Sequence, residues 1–579
     1  MHHGSLEELI VTASDWARVD PDPATAAELR EVLAAVQRGD ESAVADLASR
    51  FSGPLEFGTA GLRAAIGAGE SRMNIAVVRR TAAGLARFLT DTADGEYTPR
   101  VIIGYDARYR SYDFAVESAG VFVAAGFETL LMPTHLPTPV LSWGVLAFDA
   151  DLGVMVTASH NPKEDNGYKV YVGGRVEPEI GRGAQIVPPI DGLISEAIHW
   201  DEDLSSIAVA DSGWTVLPGS GQDGDVEARY VDAVVALSPA GTAGSAGARD
   251  LRIVTTALHG VGGHTLAAVL AQAGYADSFP VPEQQEPNPD FPTVAFPNPE
   301  EKGAMDLSLA LAESVGADLV IANDPDADRA SAAIPTPEGG WRQLRGDEVG
   351  PLLGEYMIDR GIAAGQTPVL ANSIVSSRHL GALCAARGVE HHQTLTGFKW
   401  IARVPGLTFG YEEALGYDVA PQLTNDKDGI SAALILAELA QSLKARGSSM
   451  QAALDAAAVR DGIYATDQIS IRVAQLSERD VLLGRLRSQT PSTLAGSPVV
   501  SVVDMQDGVD GLPPTEGMLL LTEDNTRVIV RPSGTEPKLK CYLEIVEQVS
   551  TPDALSSAHA AASVRLASLR SDLAAVFGL

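Results

Sequence analysis

One alternation dominates this chain and limits what it can fold into. From about Phe51 onward, short apolar runs alternate with amphipathic segments of helical period. RVIIGYD, ETLLMP and DLGVMVTAS read as strands, and VVRRTAAGLARFLTD and SYDFAVESAGVFVAAG as helices. Repeated β–α alternation predicts layered α/β domains with largely parallel pairing, because each crossover helix covers the sheet it returns to. At 579 residues the chain is too long for a single core and divides into roughly three to five domains.

Breaks in the alternation suggest where it divides. The first 50 residues read as helices, EELIVTASDWARV and then PATAAELREVLAAVQRG, with Pro23 opening the second and Gly39 ending it. PGSGQDGDVE and SPAGTAGSAGARD are polar, Gly-rich loops. A second α/β unit starts at LRIVTTALHGVGG, and a third runs from about Trp341 to ISAALILAELAQSLKARG. The alternating DQISIRV opens a smaller C-terminal α+β domain. The expected division is 1–217, 218–335, 336–464 and 465–579. Three of these domains are related α/β sheet domains, as a diverged duplication would produce, although no clear sequence repeat is visible.

Composition removes several function classes. There is no apolar run of about 18 residues, so no membrane span is expected. MHHGSLEELI lacks the basic and apolar segments of a secretory signal. Cys384 and Cys541, the only cysteines, fall in apolar patterns and read as core residues, which fits a reducing cytoplasm. A net charge of −34 repels nucleic acid and acidic membranes alike. Any phosphate-handling site in such a chain must be locally basic.

Four loops, each placed after an apolar strand, carry usable chemistry; in open α/β sheets ligands gather at that end. Thr157-Ala158-Ser159-His160-Asn161-Pro162 follows a buried-strand pattern, and Pro162 blocks an immediate helix. Alone it reads as a structural turn. Ser beside His is also a poor triad, since adjacent side chains rarely point at each other. Asn323-Asp324-Pro325-Asp326-Ala327-Asp328-Arg329 sets three carboxylates at alternate positions, where they can converge on a hard cation. A calcium loop fails here, with Arg329 where Gly belongs and Pro335 where Glu belongs; Mg²⁺ with room for a phosphate oxygen suits better. The competing reading is a solvated acidic turn. Gly410-Tyr411-Glu412-Glu413-Ala414-Leu415-Gly416, with DKDG after it at 426–429, offers carboxylates to sugar hydroxyls or is a charged surface turn. Arg531-Pro532-Ser533-Gly534-Thr535-Glu536-Pro537-Lys538 can form an anion-binding nest or a plain hairpin turn.

Together these segments resemble the α-D-phosphohexomutase superfamily, the phosphoglucomutases, phosphomannomutases and their relatives. TASHNPKEDNGYKVY is similar to its phosphoserine loop, NDPDADR to its metal loop, GYEEALGY to its sugar-specificity loop and RPSGTEPKLKCY to its phosphate-binding loop. EFGTAGLR resembles its N-terminal active-site arginine segment and TGFKW a substrate-contacting lysine segment. The wording of FGTAGLR and EEALGY is most similar to the branch holding phosphoglucomutase-2, phosphopentomutases and bacterial relatives. The resemblance implies a four-domain α/β fold, three mixed-sheet domains and a smaller C-terminal α+β domain, with the active site in the central cleft.

It further implies a magnesium-dependent isomerase that moves phosphate through a phosphoserine and a sugar bisphosphate. Ser159, His160, Lys169 and Arg63 are then the catalytic candidates; His160 and Lys169 are both open as general acid or base. Asp324, Asp326 and Asp328, with Ser159, would hold one Mg²⁺ per chain. Arg329, Lys399, Glu412, Glu413, Arg531, Ser533, Gly534, Thr535 and Lys538 would bind substrate, and a sugar bisphosphate would activate. The expected pair is glucose 1-phosphate and glucose 6-phosphate, the alternatives being pentose or mannose phosphates. Ala414 departs from the serine of many hexomutases and bears on that choice. A phosphatase and a noncatalytic sugar-phosphate sensor are the competing classes. The expected partner is a small phosphosugar, with no nucleic acid or membrane, for a cytoplasmic monomer or homodimer.

Overall fold

The computed structural model describes residues 5–55, 61–177, 180–238, 249–473, 476–533 and 538–578. They form two compact units, Met1–Ser331 with Ala420–Leu434, and Ala332–Val419 with Ile435–Leu579.

The first unit opens with three helices, Leu6–Val19, Pro23–Gln37 and Glu41–Arg50. Pro23 takes the first helical position, and Asp22 and Asp40 accept from the orphan amides of the second and third helices. The sheet that follows is mixed. Leu152–Val156, Arg100–Tyr105, Glu128–Leu131 and Thr215–Val216 run parallel, as the alternation predicts. At the other edge Asp165–Val172 runs back antiparallel along Leu152–Val156, and Leu62–Ala65 pairs antiparallel with it. The connection over 157–164 is shorter than the roughly dozen residues a parallel crossover needs, so the chain must return as a hairpin. That return brings Lys169 back beside the loop that holds Ser159. In the next domain Ile253–Thr256 is parallel to Ser278–Pro280 and Leu319–Asn323, and Leu319–Asn323 is buried throughout.

The second unit contains Glu390–Thr394, Val369–Ser373 and Phe409–Glu412, all parallel, with Gly416–Asp418 antiparallel at the edge. Its C-terminal sheet is six-stranded and antiparallel, with Ile463–Arg472 at one edge, then Lys538–Glu547 and Arg527–Pro532. The helices Leu476–Ser488 and Leu555–Phe577 pack on this sheet, burying Leu483, Leu486, Leu569, Leu573 and Phe577 against Leu520, Val528 and Leu543. Ile374 and Val375, beyond the strand Val369–Ser373, are buried among Met505, Val509, Leu519, Ile529 and Tyr542 of the C-terminal domain. Both cysteines are buried as expected, Cys384 in a helix and Cys541 in a strand. Among the described residues no helix is long and apolar enough to cross a membrane.

Candidate active site

Ser159 follows the strand Leu152–Val156 and has φ +51°, a left-handed conformation that a non-glycine residue rarely adopts. The Thr157 hydroxyl accepts from the Ser159 amide at 2.9 Å and helps hold that conformation. The serine hydroxyl donates to Asp324 Oδ2 at 2.9 Å and lies 3.2 Å from His160 Nδ1. Adjacent Ser and His side chains rarely point at each other, but at the left-handed Ser159 both reach Asp324, with His160 Nδ1 3.9 Å from Oδ2. Burial, reinforced by Arg329 and Arg63, holds His160 well below its usual range.

The metal loop is shaped by one left-handed residue, Ala327 at φ +56°, whose amide closes a turn onto the Asp324 carbonyl. The reversal brings ligand atoms of Asp324, Asp326 and Asp328 within 4.8 Å of one another, all buried. Gly429 packs on this loop so closely that a Cβ there would lie 2.2 Å from the Arg329 carbonyl oxygen. Protein groups take one oxygen of Asp326 and one of Asp328. Asp326 Oδ2 accepts from Lys169 Nζ at 2.7 Å and Thr138 Oγ1 at 2.6 Å, and Asp328 Oδ2 accepts from Lys169 Nζ at 2.7 Å. Oδ1 of Asp326 and of Asp328 are buried with no hydrogen-bond partner among the described residues. Buried acceptors left in that way fit a cation, and three carboxylate oxygens are the hard donors that Mg²⁺ prefers. Burial and repulsion from Asp328 push Asp324 and Asp326 above the usual carboxylate range. For Asp328 burial is outweighed by Lys169, Lys427 and Arg329, and its carboxyl stays well below that range.

The basic groups expected around the serine are present. Lys169 is buried; burial disfavours its ammonium, but Asp326 and Asp328 outweigh that and raise it above its usual range. Arg63, in the strand Leu62–Ala65, donates to the Asn161 side chain at 3.2 Å, while residues 56–60 of its segment lie outside the described residues. Arg329 lies 3.8 Å from Asp324 and 3.6 Å from Asp328. Sequence reasoning missed three contributors. Thr138 orients Asp326 from the start of a helix. Lys427 Nζ sits 3.4 Å from Asp328 and 3.5 Å from Asp426, whose other oxygen accepts from Tyr171 and Gln185. Arg108 lies behind the serine loop. Their signals are faint in the sequence: DKDG stands about a hundred residues from the metal loop, and Asp106-Ala107-Arg108 reads only as a strand end.

The remaining expected residues belong to the second unit. Glu412 accepts from the Gly397 amide at 2.8 Å, which ties the sugar loop to the turn before Lys399. Lys399 is buried in the helix Phe398–Ile401. Glu413 Oε2 accepts from the Ser376 and Ser373 hydroxyls at 2.8 and 3.2 Å, so the paired glutamates have different anchors. Arg531 is in the strand Arg527–Pro532, and the Ser533 amide donates to the Lys538 carbonyl, closing a hairpin. Gly534 and Thr535 lie outside the described residues. The Tyr542 hydroxyl is pushed up, chiefly by burial, with Glu413 and Glu412 adding to this and Arg531 opposing.

Four family profiles match the chain in order. They are Phosphoglucomutase/phosphomannomutase alpha/beta/alpha domain I over residues 54–184, domain II over 228–339, domain III over 345–469, and the C-terminal domain over 503–551. A Haemophilus influenzae protein named probable phosphomannomutase is 41% identical over 82% of this chain and 93% of its own length. Phosphopentomutase of Mus musculus is 33% identical over 92% and 89% respectively. Glucose 1,6-bisphosphate synthase of Homo sapiens is 31% identical over 94% and 91%. In fold, the chain is similar to the open form of Paramecium phosphoglucomutase (parafusin), with TM-score 0.64 and 18% identity over 90% of this chain and 96% of that one. Four matched domains in sequence order, over most of the chain's length, make this protein a member of the phosphoglucomutase/phosphomannomutase family and so a phosphosugar mutase of the isomerase class.

Proposed function

We propose that the protein interconverts sugar 1-phosphates and sugar 6-phosphates, glucose phosphate first among them, through phospho-Ser159 and a sugar bisphosphate. The observation that carries this reading is the Ser159 hydroxyl, held on a strained loop 2.9 Å from Asp324 of the carboxylate trio and 3.2 Å from the His160 imidazole. In the first half-reaction the bond from phosphorus to Ser159 Oγ breaks and a bond to a sugar hydroxyl oxygen forms. The proton lost by that hydroxyl ends on Oγ, and His160 Nδ1 is the group placed to pass it on. Lys169 Nζ, 2.7 Å from both Asp326 and Asp328, would place a positive charge beside the moving phosphoryl group. Arg63 and Arg329 stabilise the moving charge. The bisphosphate turns over, and its other phosphoryl returns to Ser159 by the same atoms in reverse. Asp324, Asp326 and Asp328 would hold one Mg²⁺, which would supply Lewis-acid neutralisation of phosphoryl oxygen charge. Glu412 and Glu413 grip hydroxyls, Lys399 contacts substrate, and Arg531, Ser533, Gly534, Thr535 and Lys538 clamp the phosphate that is not reacting. A sugar bisphosphate activates by recharging Ser159.

A second substrate reading rests on Ala414, which offers no hydroxyl to a hexose, and on relatives named phosphopentomutase and phosphoribomutase. Intact-mass measurement on purified protein should find one phosphate on Ser159, and Ser159→Ala should remain folded with nearly all activity lost. Coupled assays on glucose, mannose, ribose and deoxyribose 1-phosphates, run side by side, rank the substrates. Wild-type turnover by Ser159→Ala would end the phosphoserine reading.

A further inference from the structure

The Arg108 guanidinium is buried behind the serine loop, and each of its nitrogens faces an oxygen. Nη2 donates to the carbonyls of Ser159 at 2.6 Å and Asn161 at 2.7 Å. Nη1 donates to the carbonyls of Pro162 at 2.7 Å and Asp165 at 3.2 Å. Nε faces Asp106 Oδ2 at 3.3 Å, and the Phe291 ring lies 5.1 Å from the guanidinium carbon. Asp106 Oδ1 accepts from the Arg108 amide and the Ser111 hydroxyl, so the turn carrying the arginine is itself tied down.

The loop from Ser159 to Glu164 has no sheet partner for most of its length, and a buried carbonyl without a donor is costly. One planar fork supplies three of these carbonyls, and that of Asp165 at the start of the next strand, from one side. With their oxygens turned toward Arg108, the Ser159 side chain leaves the loop on the other face, toward Asp324. The bond from Nη2 fixes the direction of the Ser159 carbonyl, next to a backbone at φ +51°. Both Nη atoms of Arg108 are spent on carbonyls and Nε is turned toward Asp106 without a hydrogen bond, so the fork faces the back of the loop and not a substrate. We infer that Arg108 is the positioning residue of the phosphoserine loop: it fixes where the Ser159 oxygen sits without touching the reacting atoms. The inference rests on the phosphoserine reading above. Lysine has three donors and no fork, so it cannot hold all four carbonyls; that of Pro162 has a second donor, the Asp165 amide at 3.1 Å.

The test uses the full-length protein, Arg108→Lys, and Asp106→Asn as a milder second variant. Thermal unfolding, amide exchange across the chain, and kinetics on whichever of the four sugar 1-phosphates the wild type turns over fastest are measured together. The expected result for Arg108→Lys is faster exchange confined to residues 159–166, with kcat down roughly ten- to a hundredfold, as a misplacement near 1 Å produces. KM should stay within about twofold, and Asp106→Asn should show a smaller change in the same direction. Unchanged exchange with unchanged kcat overturns the inference. So does an increase in exchange spread evenly over the first domain, or a fall in kcat matched by a rise in KM. Ser159→Ala at wild-type turnover would remove the underlying reading instead, and would do so with the exchange results intact, so the two failures are distinguishable.

Discussion

At the scale of single residues, the division of labour within each carboxylate decides what the site can do. In Asp326 and Asp328 one oxygen is spent on lysine or threonine and the other makes no hydrogen bond among the described residues, with Arg329 Nε 3.6 Å from Asp328 Oδ1. Asp328→Asn would remove a charge while keeping the shape, and would leave two buried lysines competing for fewer carboxylates. Affinity for Mn²⁺ or Mg²⁺, followed by titration, should fall on the order of a hundredfold, with activity falling alongside. Metal-dependent thermal stabilisation should disappear with it. Undiminished metal affinity in Asp328→Asn would count against the assignment. The three aspartates are legible in the sequence because carboxylates at alternate positions after a buried strand repel one another unless a cation joins them. Thr138 is not, because it reaches Asp326 from 188 residues away.

At the scale of elements, the sugar loop and its supports carry two predictions. A serine at 414 could donate to a hexose hydroxyl where alanine cannot, and a neutral hydrogen bond contributes about 0.5–1.5 kcal/mol. Ala414→Ser should therefore raise the hexose-to-pentose ratio of kcat/KM by roughly three- to tenfold, read from parallel coupled assays. The second prediction concerns Asp347, in the first turn of the helix Gly346–Ala363, which accepts from the Ser377 amide and the Tyr411 hydroxyl. Burial, with the charge of Glu413 adding to it, raises its carboxyl to about 7. An unfolded aspartate titrates near 3.9, so between about pH 4 and 7 the folded chain holds a proton that the unfolded chain has released. This contribution to stability is full below about pH 4 and is lost as pH rises toward 7. Asp347→Asn keeps a neutral group at all pH values, so the fall in stability of the wild type relative to this variant should appear on raising pH from 4 to 7. A constant difference across that window would show that Asp347 is not the titrating group.

At the scale of the whole molecule, the third and fourth domains are held together by Ile374 and Val375 in the hydrophobic cluster of the C-terminal sheet. The sequence pattern suggests a separate C-terminal domain; a shared apolar cluster and the Arg378–Glu544–Arg527 group, with Glu544 and Arg527 buried, join it to its neighbour. Ile374→Ala should cost about 2–5 kcal/mol, measured by urea unfolding of the C-terminal signal, because the cavity cannot fully collapse. What the sequence determined by itself was local: strands and helices from their periods, the three-helix start, the buried cysteines, and the order of the four loops. Those depend on neighbours a few residues apart. Only the tertiary structure decided that Asp165–Val172 returns antiparallel, that Ser159 and His160 turn to the same carboxylate, that DKDG closes on the metal loop, and that Arg108 gathers four carbonyls. Each of these depends on how segments apart in the sequence meet, and such meetings are set by packing and by the need to pair buried polar groups, which no local period encodes.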